Sequence, residues 1–399
     1  MSPATTSPSC RNTPSPRPSR WTAGSTRRSE RRSGPKARGS VVIKERTSMS
    51  SHQASVPDAG DATTETQSPS PSGQKVVRVD AGPSSAAPGR RGRRVPPVVV
   101  WACLGVFFVV LQTYVLVSWL VDGTHIDKAP ETSGFGTTME VIGVLVPLMT
   151  VVPVVVLTVK FVRESRAQRR ATFDLLLVIG CVLSAWQDPL LNWFHPVITV
   201  NTNQFMATSS WAPYVPGWQG PGEHQQAEMP WHALVAGLGT ALSAIVVGAG
   251  VQWLAKRRPG IRPIRLAGFA VLLGMLLTAT SEPFLPALGF FIWSGATPEL
   301  TLFSGTWYQF PVYELVTAGT YFAALAMLRL AVNERGETLA ERGVGELSWR
   351  RTTWLRLLAV AGVTNVAYVG YAVGHMLFAW NHGSPPIDLP DFFRPPAAY

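Results

Sequence analysis

The chain has 399 residues, of which 46% are hydrophobic and 15% are charged, and its formal net charge is +11. Residues 1–95 contain 17 Lys and Arg against 6 Asp and Glu, whereas the rest of the chain contains 18 of each sign. This contrast excludes a single soluble globular domain and also a chain that is embedded in membrane throughout. The three cysteines, Cys10, Cys103 and Cys181, form no CxxC pair, which excludes a disulfide scaffold and a zinc module.

The first 95 residues are predicted to be a disordered, basic, cytoplasmic tail. Ser, Pro, Arg, Gly and Thr dominate it, and no window repeats apolar residues at helical or strand spacing. Such a segment buries too little surface to offset the entropy of ordering it. Four arginines directly precede the first apolar run (Arg90, Arg91, Arg93 and Arg94), and we expect them to bind anionic lipid headgroups rather than nucleic acid.

Seven apolar runs follow, and each is long enough to cross a bilayer, which takes about 20 residues. Basic residues concentrate in the connections 161–170, 256–264 and 331–353, whereas the other connections and the chain end carry only Lys128 and Arg394. Because cytoplasmic connections carry the excess of Lys and Arg, the amino end is predicted inside and the carboxyl end outside. The predicted spans are about 97–121, 138–160, 171–193, 231–255, 265–286, 308–330 and 354–380.

The predicted fold class is therefore all-α, a multi-pass protein of the cell membrane. A seven-helix domain at 96–385 follows the tail 1–95 and precedes a short external segment, 386–399. The last span contains no lysine, which excludes the retinal chemistry of rhodopsins. The glycine-rich run 217–222 lacks the strand and the Lys-Ser/Thr helix start of a nucleotide loop, and neither Gly-Xaa-Ser-Xaa-Gly nor HExxH is present.

Four ionisable groups fall within predicted spans, where they are costly enough to suggest function. At about 1.5 Å per residue, all four lie roughly 22 to 32 Å from the cytoplasmic ends of their helices. The sequence therefore predicts one pocket on the outer side, with these groups as catalytic candidates: Asp188, Glu282, Glu314 and His375.

With no lysine or arginine at that depth, desolvation and mutual repulsion disfavour ionisation of all three acids, so at least one is expected to be a neutral proton donor. Alternatively, each acid caps a broken helix or bonds across helices, since Pro189 and Pro283 each free a backbone carbonyl. A carboxylate–histidine metal site remains open as well, although the spacing does not favour it, and no metal or cofactor is expected.

Polar and aromatic residues at the same level are predicted to bind the substrate. The candidates are Asn192, Trp211, Tyr214, Trp218, Trp307, Tyr308, Tyr313 and Tyr368.

Three segments carry a resemblance to a known family. They are Trp186-Gln187-Asp188-Pro189-Leu190-Leu191-Asn192, the run Ser210-Trp211-Ala212-Pro213-Tyr214-Val215-Pro216-Gly217-Trp218, and Glu228-Met229-Pro230. Their order resembles the AveC-like spirocyclases of actinomycete polyketide pathways, over roughly residues 97–385. The resemblance implies a multi-spanning membrane protein that closes a dihydroxy-ketone into a spiroketal, with dehydration following in some cases, and it implies no cofactor.

Three functions compete at this point. The first is a cofactor-free cyclase or dehydratase of a lipophilic, polyketide-like substrate, in which one neutral acid protonates the leaving hydroxyl and an ionised acid takes the attacking hydroxyl's proton. The aromatic side chains Trp211, Trp218, Trp307 and Tyr308 would hold that substrate and its developing cation. The second is a transporter or proton-coupled carrier, favoured by proline-broken helices with acids. The third is a membrane scaffold with a lipid-binding tail.

Overall fold

The computed structural model describes residues 95–123, 137–202, 204, 206–222, 226–347, 349–383, 389 and 393. The predicted tail, apart from Val95, lies outside these residues, as does most of the predicted external segment 386–399. The described chain is mostly helical with little strand. Its helices are α1 (Pro97–Asp122), α2 (Thr137–Ala167), α3 (Phe173–Ser184), α4 (Pro230–Arg257), α5 (Pro263–Ser281), α6 (Phe284–Ala287), α7 (Tyr313–Leu330) and α8 (Trp349–Phe378).

A helix lies in each of the seven predicted spans. Among the described residues, five helical segments are long and apolar enough to cross a membrane: Pro97–Asp122, Phe173–Asn192, Pro230–Arg257, Pro263–Ala287 and Thr352–Asn381. The sixth predicted span begins later than expected, at Tyr313 instead of residue 308, because Phe310 and Pro311 form a strand.

Proline places several helix boundaries. Helices α1, α4 and α5 each have proline in the first turn, where the missing N–H is not needed. Pro189 has the opposite effect, since it cannot donate within a helix, and α3 tightens at Ala185 into a 3-10 turn, Ala185–Asn192. The carbonyl oxygen of Trp186 instead accepts a hydrogen bond of 2.8 Å from the indole Nε1 of Trp211. This hydrogen bond joins the first segment of the family resemblance, which contains Trp186, to the second, which contains Trp211.

Four helices form the core of the bundle. Helix α3 packs against α4 and α8, and α7 packs against the same two helices, so the four close into a ring. Its interior is apolar around Leu177, Cys181, Leu238 and Leu325. Helix α1 packs against α8, α5 packs against α7 and α4, and α2 packs against α3 and α4.

Ion pairs fasten the end of the ring where α3 begins. The guanidinium of Arg329 on α7 donates two hydrogen bonds, of 2.6 and 2.9 Å, to the Asp174 carboxylate on α3. Arg356 on α8 donates to Glu341 at 2.5 Å and to the Ala171 carbonyl at 2.9 Å. Arg356 thereby ties the α2–α3 connection and the α7–α8 connection to α8, and both members of its ion pair are almost completely buried.

Short strands build a layer over the opposite end of the ring, and we call this layer the cap. Its strands pair antiparallel as β1 (Thr199–Val200) with β4 (Phe291–Ile292), β2 (Thr208–Ser209) with β3 (Ala227–Glu228), and β5 (Thr301–Leu302) with β6 (Phe310–Pro311). A buried apolar cluster joins the cap to the end of α8: Val197, Trp293, Ala296, Phe310 and Ala379.

Close backbone contact between α1 and α8 gives a first prediction. A Cβ atom at Gly105 would lie 1.9 Å from the Leu358 carbonyl oxygen, so Gly105→Val should force the two helices apart. Overpacking of this kind costs about 1–3 kcal/mol, which should appear as a lower thermal midpoint in detergent. Gly268→Val is the matched control, since a Cβ there meets no described atom within 4 Å. Equal shifts in the two variants would contradict the α1–α8 packing.

Candidate active site

Asp188 lies in the 3-10 turn after α3, at the capped end of the ring. Its Oδ1 accepts a hydrogen bond of 2.6 Å from the Tyr368 hydroxyl on α8. Its Oδ2 lies 3.6 Å from Nδ1 of His232, in the first turn of α4. About 28% of the Asp188 side chain is exposed, so this carboxyl group can be reached from outside the packed core.

Glu314 and His375 form a second, buried pair at the same end of the ring. Oε2 of Glu314 accepts from the Thr317 hydroxyl at 3.0 Å and is hydrogen bonded to Nε2 of His375, while Oε1 accepts from the Tyr371 hydroxyl at 3.0 Å. The Glu314 carboxyl group is therefore held in place by three hydrogen-bonding side chains.

The His375 ring is held by aromatic neighbours. It stacks on Trp293 of the cap, with ring centroids 4.9 Å apart and an angle of 7°. Tyr313 meets it edge-on. Nδ1 of His375 is buried and has no hydrogen-bond partner among the described residues. The cap therefore fixes the orientation of a histidine whose other nitrogen is bonded to Glu314.

Glu282 joins these groups from the end of α5. The helix ends there because the next residue, Pro283, cannot continue the backbone ladder. Glu282 interacts electrostatically with Glu314 and with Asp188. The structure therefore brings together the four groups predicted as catalytic candidates, and it places Tyr368 among them.

Three tyrosines lie inside the four-helix bundle, between the carboxyl groups of Asp188 and Glu314. Tyr321 lies 5.7 Å from Tyr368 and 5.5 Å from Tyr371, and the last two lie 5.5 Å apart, measured between ring centroids. Since Tyr368 bonds to Asp188 and Tyr371 bonds to Glu314, this tyrosine cluster connects the two carboxyl groups.

Several predicted substrate-binding residues belong to the cap instead of the tyrosine cluster. The Asn192 amide bonds to the backbone of Val197 and Ile198. Trp211 is buried against Trp119 and Trp186. Tyr214 donates to Asp122 at the end of α1.

The remaining predicted substrate-binding residues also have neighbours in or beside the cap. The Trp218 indole donates to the Pro221 carbonyl. Trp307 and Tyr308 contact each other in the partly exposed loop between β5 and β6. Tyr313 is buried and stacks on Phe378.

Three polar neighbours of Asp188 and Glu314 were not among the predicted site residues: Glu228, His232 and Tyr371. The Glu228 side chain is 4% exposed and interacts electrostatically with Asp188. Burial raises the pKa of the Glu228 carboxyl well above its usual range and the Asp188 charge adds to this, while a hydrogen bond from Ser210 partly opposes them. Its position two residues before Pro230, in the third segment of the resemblance, was the available signal.

The functional groups of the site are titratable side chains. Within the described ranges, no group of three or more His, Cys, Asp or Glu side chains is arranged to hold a metal ion. Proton transfer is the chemistry that these carboxyl, imidazole and phenol groups can perform by themselves.

Fold and site together define a helical, membrane-type protein with a carboxyl- and tyrosine-lined site under a cap of short strands. The sequence model of the family described as Spirocyclase AveC-like matches residues 168–399, more than half of the chain. The chain belongs to the AveC-like spirocyclase family. Comparisons with curated proteins and with solved structures gave no match.

The family match includes every candidate site residue. It begins at residue 168, later than the start near residue 97 that the resemblance predicted, so α1 and α2 precede it. The three segments that carried the resemblance contact one another. The Trp211 indole of the second segment donates a hydrogen bond to the Trp186 carbonyl of the first. Strand β3, which contains Glu228 of the third segment, pairs with β2, which ends at Ser209 just before the second segment.

Proposed function

We propose that this protein is a membrane-bound, cofactor-free acid–base catalyst that closes a lipophilic dihydroxy-ketone into a spiroketal. One observation carries the proposal: a reachable carboxyl group, Asp188, lies among Tyr368, His232 and further acids in a member of the AveC-like spirocyclase family. The family match supports catalysis and gives no support to the transporter hypothesis.

The reaction needs two proton transfers and stabilisation of a cation. One hydroxyl group of the substrate adds to the ketone and gives a hemiketal. A neutral acid protonates the hemiketal hydroxyl, which leaves as water and generates an oxocarbenium ion. The second hydroxyl then attacks this ion, and an ionised carboxylate takes its proton. We assign Asp188 to this reacting centre because its carboxyl group is partly exposed and bonds to the buried Tyr368.

The surrounding groups favour the cationic intermediate. Glu314 is held by Thr317, Tyr371 and His375 in a dry interior, where a fixed carboxylate would stabilise a developing positive charge. Faces of the tyrosine cluster can stabilise a cation as well. We propose that the tyrosine cluster contacts the substrate. Above it, the cap is closed by Trp211, Trp218 and Trp307.

The proposed setting is the cell membrane, with seven spans that include α2 and α7. The amino end is cytoplasmic, so the acid site faces the outer leaflet, where a lipophilic, polyketide-like substrate would concentrate. Cysteine accessibility to an impermeant reagent, tested with single cysteines placed at Gly260 and Gly305 in a background without native cysteines, distinguishes the two faces. Labelling of the Gly260 position from outside intact cells would contradict this orientation.

The function is tested with membranes that contain the full chain and a lipophilic dihydroxy-ketone. We expect a product lighter by one water, formed faster than in membranes from cells with an empty vector. Because such ketones also cyclise without an enzyme, the decisive readout is one configuration at the spiro carbon, compared with a mixture in the control. Equal rates and equal mixtures would overturn the proposed function.

A further inference from the structure

Among the residues that the structure describes, the two side-chain donors that hold Glu228 in the cap both reach the same one of its two oxygens. Its Oε1 accepts from the Ser210 hydroxyl at 3.3 Å and from Nε2 of Gln226 at 3.2 Å. The oxygen of Ser210 accepts from the Ala212 backbone N–H at 3.1 Å. Since a hydroxyl has one proton, that of Ser210 is directed to Glu228.

This pattern fits a neutral carboxyl group. In a neutral acid one oxygen accepts hydrogen bonds and the other carries the proton. Because Oε1 takes both donors, the proton of Glu228 belongs on Oε2. Almost complete burial and the nearby negative charge of Asp188 both favour the neutral form, against the opposing hydrogen bond from Ser210.

Asp188 has the opposite surroundings. The Tyr368 hydroxyl donates to it, His232 lies beside its second oxygen, and more than a quarter of its side chain is exposed. Asp188 is thus a hydrogen-bond acceptor that a substrate can reach, beside a histidine. Two carboxyl groups that interact and whose environments differ in this way divide naturally into an acid and a base.

We propose that Glu228 is the general acid of the reaction and that Asp188 is its base partner. The assignment rests on the proposed function and identifies one further residue of that site. The proton on Glu228 Oε2 goes to the hemiketal oxygen as the C–O bond breaks, and water leaves. The attacking hydroxyl forms the new C–O bond and gives its proton to Asp188. Transfer of that proton from Asp188 to Glu228, with His232 alongside, restores the starting state.

The pH dependence of turnover tests this assignment. Glu228 must be protonated to act, so the wild-type rate should fall as pH rises through its raised pKa. Glu228→Gln keeps the size of the side chain but has no acidic proton, so we expect the rate to fall by roughly 100- to 10,000-fold. The decrease of the rate at high pH, the alkaline limb of the pH profile, should disappear as well. Glu228→Asp should regain part of the rate and the limb. Glu299→Gln, an exposed cap residue, is the matched control and should behave as wild type.

The pH profile of Ser210→Ala distinguishes a chemical role of Glu228 from a purely structural one. The Ser210 hydrogen bond lowers the pKa of Glu228, so its removal should shift the alkaline limb to higher pH. Glu228→Gln with the wild-type rate and pH profile would overturn the assignment, while spiroketal formation by the wild type would leave the proposed function standing. A wild type without product would overturn both.

Infrared difference spectroscopy tests the protonation of Glu228 without substrate. Above the ordinary titration range of glutamate, the wild type should show a carbonyl band of a neutral carboxylic acid that is missing in Glu228→Gln. The band should persist in Glu299→Gln. Identical carbonyl bands in wild type and Glu228→Gln would show that Glu228 is ionised, which contradicts the assignment.

Discussion

Asp188→Asn is expected to lower turnover of the dihydroxy-ketone by roughly 100- to 10,000-fold, the usual contribution of a general acid or base. The amide keeps the size of the side chain and can still accept from the Tyr368 hydroxyl. It cannot take a proton from the attacking hydroxyl group. Rates in membranes, normalised to the amount of folded protein from size-exclusion chromatography, measure the effect.

The chain offers a matched control for this variant. Asp122 at the end of α1 also accepts from a tyrosine hydroxyl, that of Tyr214, and both tyrosine–aspartate distances are 2.6 Å. Asp122→Asn should therefore make a similar local change at a residue outside the tyrosine cluster and leave the rate near that of wild type. Equal loss in both variants, or loss of folded Asp188→Asn protein, would show that Asp188 has a structural role.

Arg356→Gln is expected to give the largest loss of stability. Arg356 and Glu341 are 4% and 2% exposed, and their atoms approach to 2.5 Å. Removal of one member of a buried pair leaves the other charge uncompensated, which costs about 3–5 kcal/mol. A marked fall of the thermal midpoint in detergent should follow, because Arg356 also bonds to the Ala171 carbonyl.

Arg335→Gln is the control for this prediction. Arg335 pairs with Glu346 at 3.7 Å, but both side chains are about two-thirds exposed. Exposed pairs contribute about 0–1 kcal/mol, so the midpoint should change little. Similar shifts in Arg335→Gln and Arg356→Gln would contradict the role of burial.

The helical segments were predictable because long apolar runs leave few alternatives. Each predicted span contains a helix, and proline marks several boundaries. The strands of the cap were not predictable, since each has two residues and depends on a partner distant in sequence. For the same reason Phe310 and Pro311 were assigned to a helix, although they pair with β5.

The sequence drew attention to three acids of the candidate site, Asp188, Glu282 and Glu314, because ionisable groups are costly in an apolar environment. Glu228 escaped this argument because it lies just outside a predicted span, and its burial results from the folded cap. His232 was also missed, since only the packing of α4 against the 3-10 turn brings it to Asp188.

Aromatic residues were harder to place from sequence. Trp211 was predicted to bind substrate, yet its indole bonds to the carbonyl that Pro189 leaves free. A tryptophan that repairs a broken helix and one that lines a pocket have the same sequence signature near a helix end. The tyrosines of α7 and α8 lie between the acids because their helices close the ring.

The central claim, acid–base closure of a spiroketal, is tested most directly by oxygen labelling. A dihydroxy-ketone with ¹⁸O in both hydroxyl groups is incubated with wild-type membranes, and the mass of the product is measured by mass spectrometry. In the proposed reaction the oxygen that leaves as water derives from the ketone. The product should therefore be lighter by one water and retain both labels, and Asp188→Asn membranes should form little of it. A product that has lost one label would show dehydration of a hydroxyl group and contradict the proposed cyclisation.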